Sequence, residues 1–452
     1  MQVIVPALEN IKKTLGKWKI SNETYRPMCY VVSNPVNDGV LLFHTLTREL
    51  LYLTQEEFER LETLPELREK WFLVPRSLSD KTYADRVKFV VKATRKKPAY
   101  ITHYTIFTTT DCNARCFYCY EMGRSRIPMS EETAHKAAKY IAKHCGGEIV
   151  TLQWFGGEPL FNINVIDIIC KDLNELGVEY RSKMISNAYL FDDETVKTAS
   201  ELWKLQDVQV TLDGTESIYN RSKAFIYKDS DSPYQIVMNN IGRLLDAGIR
   251  VTVRMNIDKH NAENLLLLAD ELHERFAGRK GLFAYSHVLF EFSGNMERVR
   301  ATEERKLIYQ KQQCLAEKLN QYGFQPKIGI ARRLPANHCM ADSGYSLTIL
   351  PGGELGLCEH FSEDHFVGNL DSEILDEDTQ KRFSETREAI KDCTTCFYYP
   401  RCIRLKICEE MKECFPEMRE DYLQKTRASM QTVYLAWLKK EELNESEQSE
   451  NC

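Results

Sequence analysis

Apolar residues recur along most of this chain in two rhythms, short β-branched runs and longer stretches with apolar positions three or four apart. Runs at 101–110, 149–154, 180–186, 208–212, 250–257 and 283–292 have the length and composition of strands. Between and after them, 131–144, 165–176, 193–203, 235–247, 261–276 and 302–322 carry the spacing of amphipathic helices. Six β/α repeats predict an α/β fold with a parallel sheet, a partial (β/α)6 barrel of TIM type. In such sheets reactive groups gather outside the carboxyl ends of the strands.

The pattern differs before residue 95. Candidate strands at 29–32, 40–45 and 50–53 precede helical patterns at 56–64 and 65–71, and the turn-forming run Asn34-Pro35-Val36-Asn37-Asp38-Gly39 separates the first two strands. This reads as a small three-stranded sheet with helices. It is either a structural cap or a winged-helix-like α+β domain offering a strand edge to an extended peptide. Beyond residue 325 the periodicity fades and cysteines crowd in. A last helical run at 422–440 leads to an acidic, polar tail at 441–452, expected to be disordered.

With 452 residues, 43% of them hydrophobic, the chain can bury a sizeable core in about two to three domains. Its 60 basic and 66 acidic residues leave a net charge of −6, and the run Arg95-Lys96-Lys97 reads as a solvated linker, so nucleic acid is not an expected partner. No signal segment opens the chain and no apolar run approaches about 18 residues, which argues against a membrane and for a cytoplasmic protein. In a reducing compartment, the 15 cysteines point to metal rather than to disulfides.

Three of them stand as C-x3-C-x2-C, Cys112, Cys116 and Cys119, in the string Thr110-Asp111-Cys112-Asn113-Ala114-Arg115-Cys116-Phe117-Tyr118-Cys119 directly after the first barrel strand. Three thiolates so close on one loop can hold three irons of a [4Fe–4S] cube and leave the last iron open to an outside ligand. A zinc knuckle is the alternative. The spacing, with an aromatic residue before the last cysteine, resembles the radical S-adenosylmethionine (SAM) superfamily. The resemblance implies that the open iron takes the amino and carboxylate groups of SAM, and that an electron from the cube cleaves it to a 5′-deoxyadenosyl radical.

Further matches follow in order at the strand ends. Gly156-Gly157-Glu158 looks like the superfamily's GGE motif, in which glycines admit a ligand close to backbone and a carboxylate accepts from the SAM ammonium. Ser186-Asn187 is similar to the polar pair that contacts ribose or carboxylate. Asp213 follows the fourth strand, and Arg254 lies in the fifth, where a cation meets the SAM carboxylate. With Tyr118 these complete the implied SAM-binding set, each with an ordinary structural role as its alternative.

The distal cysteines run Cys339-x13-Gly353-x4-Cys358, then Cys393-x2-Cys396-x5-Cys402-x5-Cys408-x5-Cys414. They resemble the SPASM domain, which binds two auxiliary [4Fe–4S] clusters, with x5 where x3 is usual before Cys408; a zinc ribbon is the alternative. The resemblance implies a distal cluster on Cys393, Cys396, Cys402 and Cys414, leaving Cys339, Cys358 and Cys408 for the nearer one. Three ligands leave an open iron for a substrate thiol, unless Cys314 or a water completes the site. Cys29, Cys145, Cys170 and Cys452 lack ligand spacing, and His338, Glu359 and His360 only flank SPASM cysteines.

Taken together, the chain resembles radical SAM/SPASM maturases of ribosomally made peptides, of the thioether-forming sactipeptide and ranthipeptide type. The implied domains are a leader-peptide-binding recognition element at 1–95, a radical SAM partial barrel at 100–320, a SPASM domain at 325–420, and a C-terminal helix and tail at 421–452. The implied partners are a cysteine-containing precursor peptide with a leader, and a reductant such as flavodoxin or ferredoxin. A carbon–carbon or carbon–oxygen crosslinking maturase and an anaerobic sulfatase-maturating, formylglycine-forming enzyme are alternatives within enzymes. An iron–sulfur electron-transfer or scaffold protein is the alternative of another class.

Overall fold

The computed structural model describes the chain except residues 17–22, 94–97, 120, 122, 124, 228–231, 290–301, 326–328, 332–333, 335–338, 360–365, 373–374, 380–392, 394, 400–401, 403–413, 415 and 451–452. Two compact units share it. One comprises Met1–Lys97, Lys327–Cys339 and Phe383–Cys452, the other Pro98–Pro326 and Met340–Arg382. The stretch expected as one cysteine-rich domain is therefore divided between them.

The first unit opens with β1 (Gln2–Val5), α1 (Glu9–Leu15), β2 (Tyr25–Pro27), β3 (Val31–Val36), β4 (Gly39–His44) and β5 (Leu50–Thr54). There follow α2 (Gln55–Glu59), a 3-10 turn at Leu61–Thr63, α3 (Pro65–Glu69), β6 (Leu73–Pro75) and α4 (Asp80–Ala93). The main sheet has four antiparallel strands in the order β1-β5-β4-β3, one more than the sequence pattern predicts. β1 is only four residues long and half exposed, too short to announce itself. The expected first strand lies later than predicted. Pro35 falls inside β3 and the turn shrinks to Asn37-Asp38, because β3 is an edge strand that leaves a proline's missing N–H without consequence.

All six residues of β4 are buried, since both faces of the sheet are covered. Val40, Leu42, Leu51 and Leu53 pack with Leu67, Phe72 and Leu73. Leu41, Phe43 and Leu50 pack with Met430 and Tyr434 of the C-terminal helix, Pro416–Glu450. That helix runs to Glu450, so the tail expected to be disordered extends it; its Glu, Lys, Leu and Gln content favours helix.

The second unit contains the predicted repeats: β7 (His103–Thr109), α5 (Glu131–His144), β8 (Val150–Gly156), α6 (Ile163–Glu175), β9 (Tyr180–Ser186), α7 (Asp193–Glu201) and β10 (Leu205–Thr211). An unpredicted polar helix, α8 (Glu216–Lys223), precedes α9 (Pro233–Asp246), β11 (Arg250–Ile257), α10 (Ala262–Phe276), β12 (Leu282–Val288) and α11 (Thr302–Gln321). Local chemistry sets the boundaries. Ser130 and Asp192 cap α5 and α7 by accepting from the N–H groups of Thr133 and Thr195, and Pro233 opens α9.

β7 to β12 pair in parallel in chain order, forming the mostly parallel sheet of a partial barrel. The sheet continues past β7. β13 (Ser346–Ile349) joins it in parallel, and the antiparallel β14 (Glu354–Gly356) and β15 (Gly368–Asn369) extend it to nine strands. Buried Leu347 and Ile349 bring this part of the cysteine-rich stretch to the barrel sheet. No helix among the described residues is long and apolar enough to cross a membrane.

Candidate active site

The cysteine loop leaves the carboxyl end of β7, and two glycines after β8 let it lie close. Gly157 N–H donates to Thr109 O at 3.0 Å and Glu158 N–H to Asp111 O at 3.0 Å. A Cβ on Gly156, whose φ is +131°, would lie 2.1 Å from Thr109 O, and one on Gly157 would lie 2.2 Å from Asp111 O. Only glycine fits either position.

Glu158 is fully buried and gathers the next strand end. Its Oε1 accepts from Ser186 Oγ at 2.8 Å and Leu160 N at 3.2 Å, and its Oε2 from Asn187 N at 2.8 Å. Burial, eased by these donors, pushes its pKa up to about 7. Asn187 in turn reaches the loop, Nδ2 donating to Asn113 Oδ1 at 2.7 Å and lying 3.8 Å from Cys112 Sγ. Ala114 N donates to the same sulfur at 3.3 Å. Asn113 is fully buried, and its Nδ2 has no partner among the described residues.

A second group lies around Tyr118. Its hydroxyl donates to Asp213 and accepts from Lys223 Nζ at 2.7 Å, while Lys223 and Asp213 pair at 3.1 Å with side chains 4% and 3% exposed. Burial works against the Lys223 cation, but Asp213, Tyr118 and Cys116 outweigh it and hold the lysine protonated. Asn256 N donates to Asp213 Oδ1 at 3.3 Å, and Arg254 Nε to Asn256 Oδ1 at 3.0 Å. Of the site residues predicted from sequence, Gly156, Gly157, Glu158, Ser186, Asn187 and Asp213 thus stand at or just past successive strand ends, with Arg254 inside β11 and Tyr118 on the cysteine loop. Lys223 and Asn113 escaped prediction, since neither stands in a spacing that marks chemistry.

Cys112, Cys116 and Cys119 are each half-buried on this loop. Burial and the Glu158 charge push the Cys112 thiol up to about 12, a direction that a bound cation would reverse. Three thiols with N–H donors aimed at one sulfur, beside a cradle that excludes a Cβ, fit an iron–sulfur cluster with a ligand at its open iron. Among the described residues, no three His, Cys, Asp or Glu side chains converge on one ion. A cube asks for no such convergence, because each thiolate holds its own iron.

Of the distal cysteines, Cys393, Cys396 and Cys402 pack in the first unit against Met28, Tyr30 and Tyr399, beside Cys29. Burial pushes the Cys396 thiol up, and Cys414 and Cys393 lie near enough to add to that direction. Cys339 belongs to the first unit and Cys358 to the second, where its Sγ lies 3.6 Å from Glu359 Oε2. Cys314 is exposed on α11, and Cys145 and Cys170 are buried. Cys408, Cys452, His338, His360 and the run Arg95-Lys96-Lys97 lie outside the described residues.

The Radical SAM superfamily model matches residues 106–272. The antilisterial bacteriocin subtilosin biosynthesis protein AlbA of Bacillus subtilis (strain 168) is 23% identical over 276 residues, 59% of this chain and 57% of AlbA. The curated relatives matched are covered over only 37 to 57% of their own lengths. Among solved structures, anSMEcpe with bound AdoMet superposes with a TM-score of 0.56 at 13% identity, covering 75% of this chain and 98% of that one. Streptococcus suis SuiB bound to precursor peptide SuiA gives 0.53 at 12%, covering 87% and 98%. These likenesses are of fold. The chain carries a radical SAM domain over residues 106–272, the stretch that holds the carboxyl ends of β7 to β11 and the cysteine loop.

Proposed function

We propose that this chain is a peptide maturase that installs thioether crosslinks, joining a cysteine sulfur to a carbon of a ribosomally made precursor. The observation that carries the reading is the distribution of its distal cysteines. Cys393, Cys396 and Cys402 pack against one apolar cluster, and Cys414 is near enough to act on Cys396, which supports reading these four as the ligands of one cluster. By the family resemblance Cys339, Cys358 and Cys408 would then be left for a second cluster, and three ligands would leave one iron open to a substrate thiol. The AlbA likeness and the SuiB fold support a peptide as substrate.

When bound, the clusters and SAM would supply an electron, hydrogen abstraction from carbon and a Lewis-acidic seat for sulfur. The chain's own residues prepare for them. Gly156 and Gly157 let the cysteine loop lie against bare backbone, Glu158 fixes Ser186 and Asn187, and Asn113 presents an unused buried donor. In the first unit, the small antiparallel sheet is the candidate seat for an extended leader. Such a tether raises the effective concentration of the core peptide without tight binding of the core itself.

The test is anaerobic turnover of reconstituted enzyme with SAM, a one-electron reductant and the precursor encoded beside it, read by tandem mass spectrometry before and after thiol alkylation. Loss of two hydrogens per crosslink, a cysteine that no longer alkylates, and 5′-deoxyadenosine formed alongside are the expected result. If 5′-deoxyadenosine forms while every thiol still alkylates, the radical assignment stands and the thioether assignment falls.

A further inference from the structure

Lys223 ends α8, a helix with no counterpart in the predicted β/α repeats, yet it is one of the most buried cations of the chain. Its backbone and the residues just after it are joined to the cysteine loop. Arg115 N–H donates to Lys223 O at 2.8 Å, and Ile226 N–H to Asn113 O at 2.9 Å. Between these two bonds Ala224 takes a left-handed conformation, φ 43° and ψ 60°, that turns the chain along the loop. The side chain then reaches the loop, with Nζ 2.7 Å from Tyr118 Oη and 3.1 Å from Asp213, which also accepts from Tyr118. Nζ also lies over the Tyr118 ring, 5.3 Å from its centroid. Tyr118 stands between Cys116 and Cys119, so through this residue Lys223 reaches the thiolate loop.

A cluster held by three thiolates gains one more negative charge on reduction. A fixed cation in a poorly hydrated site beside it favours the reduced form, and a fixed anion disfavours it. Lys223 and Asp213 are such a pair, placed on one tyrosine of the loop.

We propose that Lys223 is a positioning residue of the radical SAM cluster: it pins Tyr118 against Asp213, and its charge raises the midpoint potential of the iron–sulfur group held by Cys112, Cys116 and Cys119. This rests on the reading of that loop as the SAM-binding cluster. Lys223 touches no substrate and transfers no proton; electrons come from an external one-electron donor. Lys223 and Asp213 therefore act in opposite directions. Removing the lysine charge makes the cluster harder to reduce, and removing the aspartate charge makes it easier.

The experiment is an anaerobic potentiometric titration of reconstituted full-length protein, following the paramagnetic signal that changes when SAM is added. Absence of any SAM-sensitive signal in the unmodified chain would refute the cluster reading itself. With that signal present, K223Q is expected to shift the midpoint downward, D213N upward, and K223R to stay near the unmodified value. An unchanged or raised midpoint in K223Q, or a lowered one in D213N, overturns the proposal. If K223Q takes up no iron, uptake restored in K223R supports it, since the loop then needs the charge. Loss of iron in both lysine variants overturns it.

Discussion

Glu158 and Asn187, 29 positions apart and on neighbouring strand ends, are joined by the Asn187 N–H, which donates to Glu158 Oε2 at 2.8 Å. A single carboxylate thereby fixes the end of β9 relative to the end of β8, and through Asn187 the fixing reaches Asn113 and Cys112. Glu158→Gln keeps the volume but turns a donor toward at least one of the three donors already there. The variant should lose roughly 1–3 kcal/mol of stability and bind SAM about tenfold or more weakly. Calorimetric titration of the reconstituted protein checks this, and unchanged affinity would show that the carboxylate does not set the strand ends.

The glycine cradle makes a sharper demand. Gly156→Ala and Gly157→Ala each drive a Cβ into a backbone carbonyl that has nowhere to go. Each should cost roughly 1–3 kcal/mol and reduce iron uptake at the first loop. Iron content per chain after reconstitution, with thermal unfolding alongside, reads both effects. Normal iron uptake in Gly157→Ala would mean that the loop can stand away from β8.

The first unit should respond to acid through His44. Its ring is fully buried, with Nε2 3.1 Å from Trp71 O and Nδ1 accepting from Leu46 N at 3.2 Å and Thr47 N at 3.4 Å, an arrangement that suits the neutral Nε2–H form. Burial pushes its pKa down to about 4. As pH falls from the unfolded value near 6.5 toward 4, the unfolded chain takes up a proton that the fold refuses. Stability held above pH 6.5 should therefore drain away in that window, by up to about 3 kcal/mol. His44→Gln, which offers a donor and an acceptor without titrating, should flatten this part of the profile in urea unfolding. Parallel profiles for the two proteins would rule it out.

Cys29 and Cys396 share an apolar cluster but should behave differently. Cys396 lies within the spaced run, whereas Cys29 is remote from it, its backbone N–H held by Asp80 at 2.7 Å beside the Arg26–Asp80 fork. Cys396→Ser should remove one cluster's iron, about four atoms per chain, while Cys29→Ser leaves the iron content unchanged. Equal losses would place Cys29 among the ligands.

The barrel was legible because its signals are local. Its strands are short runs of continuous or alternating apolar residues, and Ser130, Asp192 and Pro233 announce their helices. Cysteine spacings are read within a few residues, so the candidate metal-binding runs stand out in the sequence too. What stayed hidden depends on distant partners. β1 is strand only because β5 receives it, Pro35 is tolerated only at an edge, and β13 pairs with β7 from more than two hundred positions away. Lys223 is the clearest case. Nothing nearby in sequence separates it from a surface lysine; its burial follows from the strand end that carries Asp213 and the loop that carries Tyr118.

β13 also changes the standing of β7, which has β8 on one side and β13 on the other and is buried from Tyr104 to Thr109. A strand hydrogen-bonded along both edges releases its amides only when the sheet around it opens. In hydrogen exchange, residues 103–109 should belong to the slowest part of the second unit, while the loop at 112–119 exchanges quickly. The cysteines hang from a strand paired along both edges, on a loop outside the sheet. Such an attachment lets the loop open to take up iron, or give it up, without disturbing the barrel beneath.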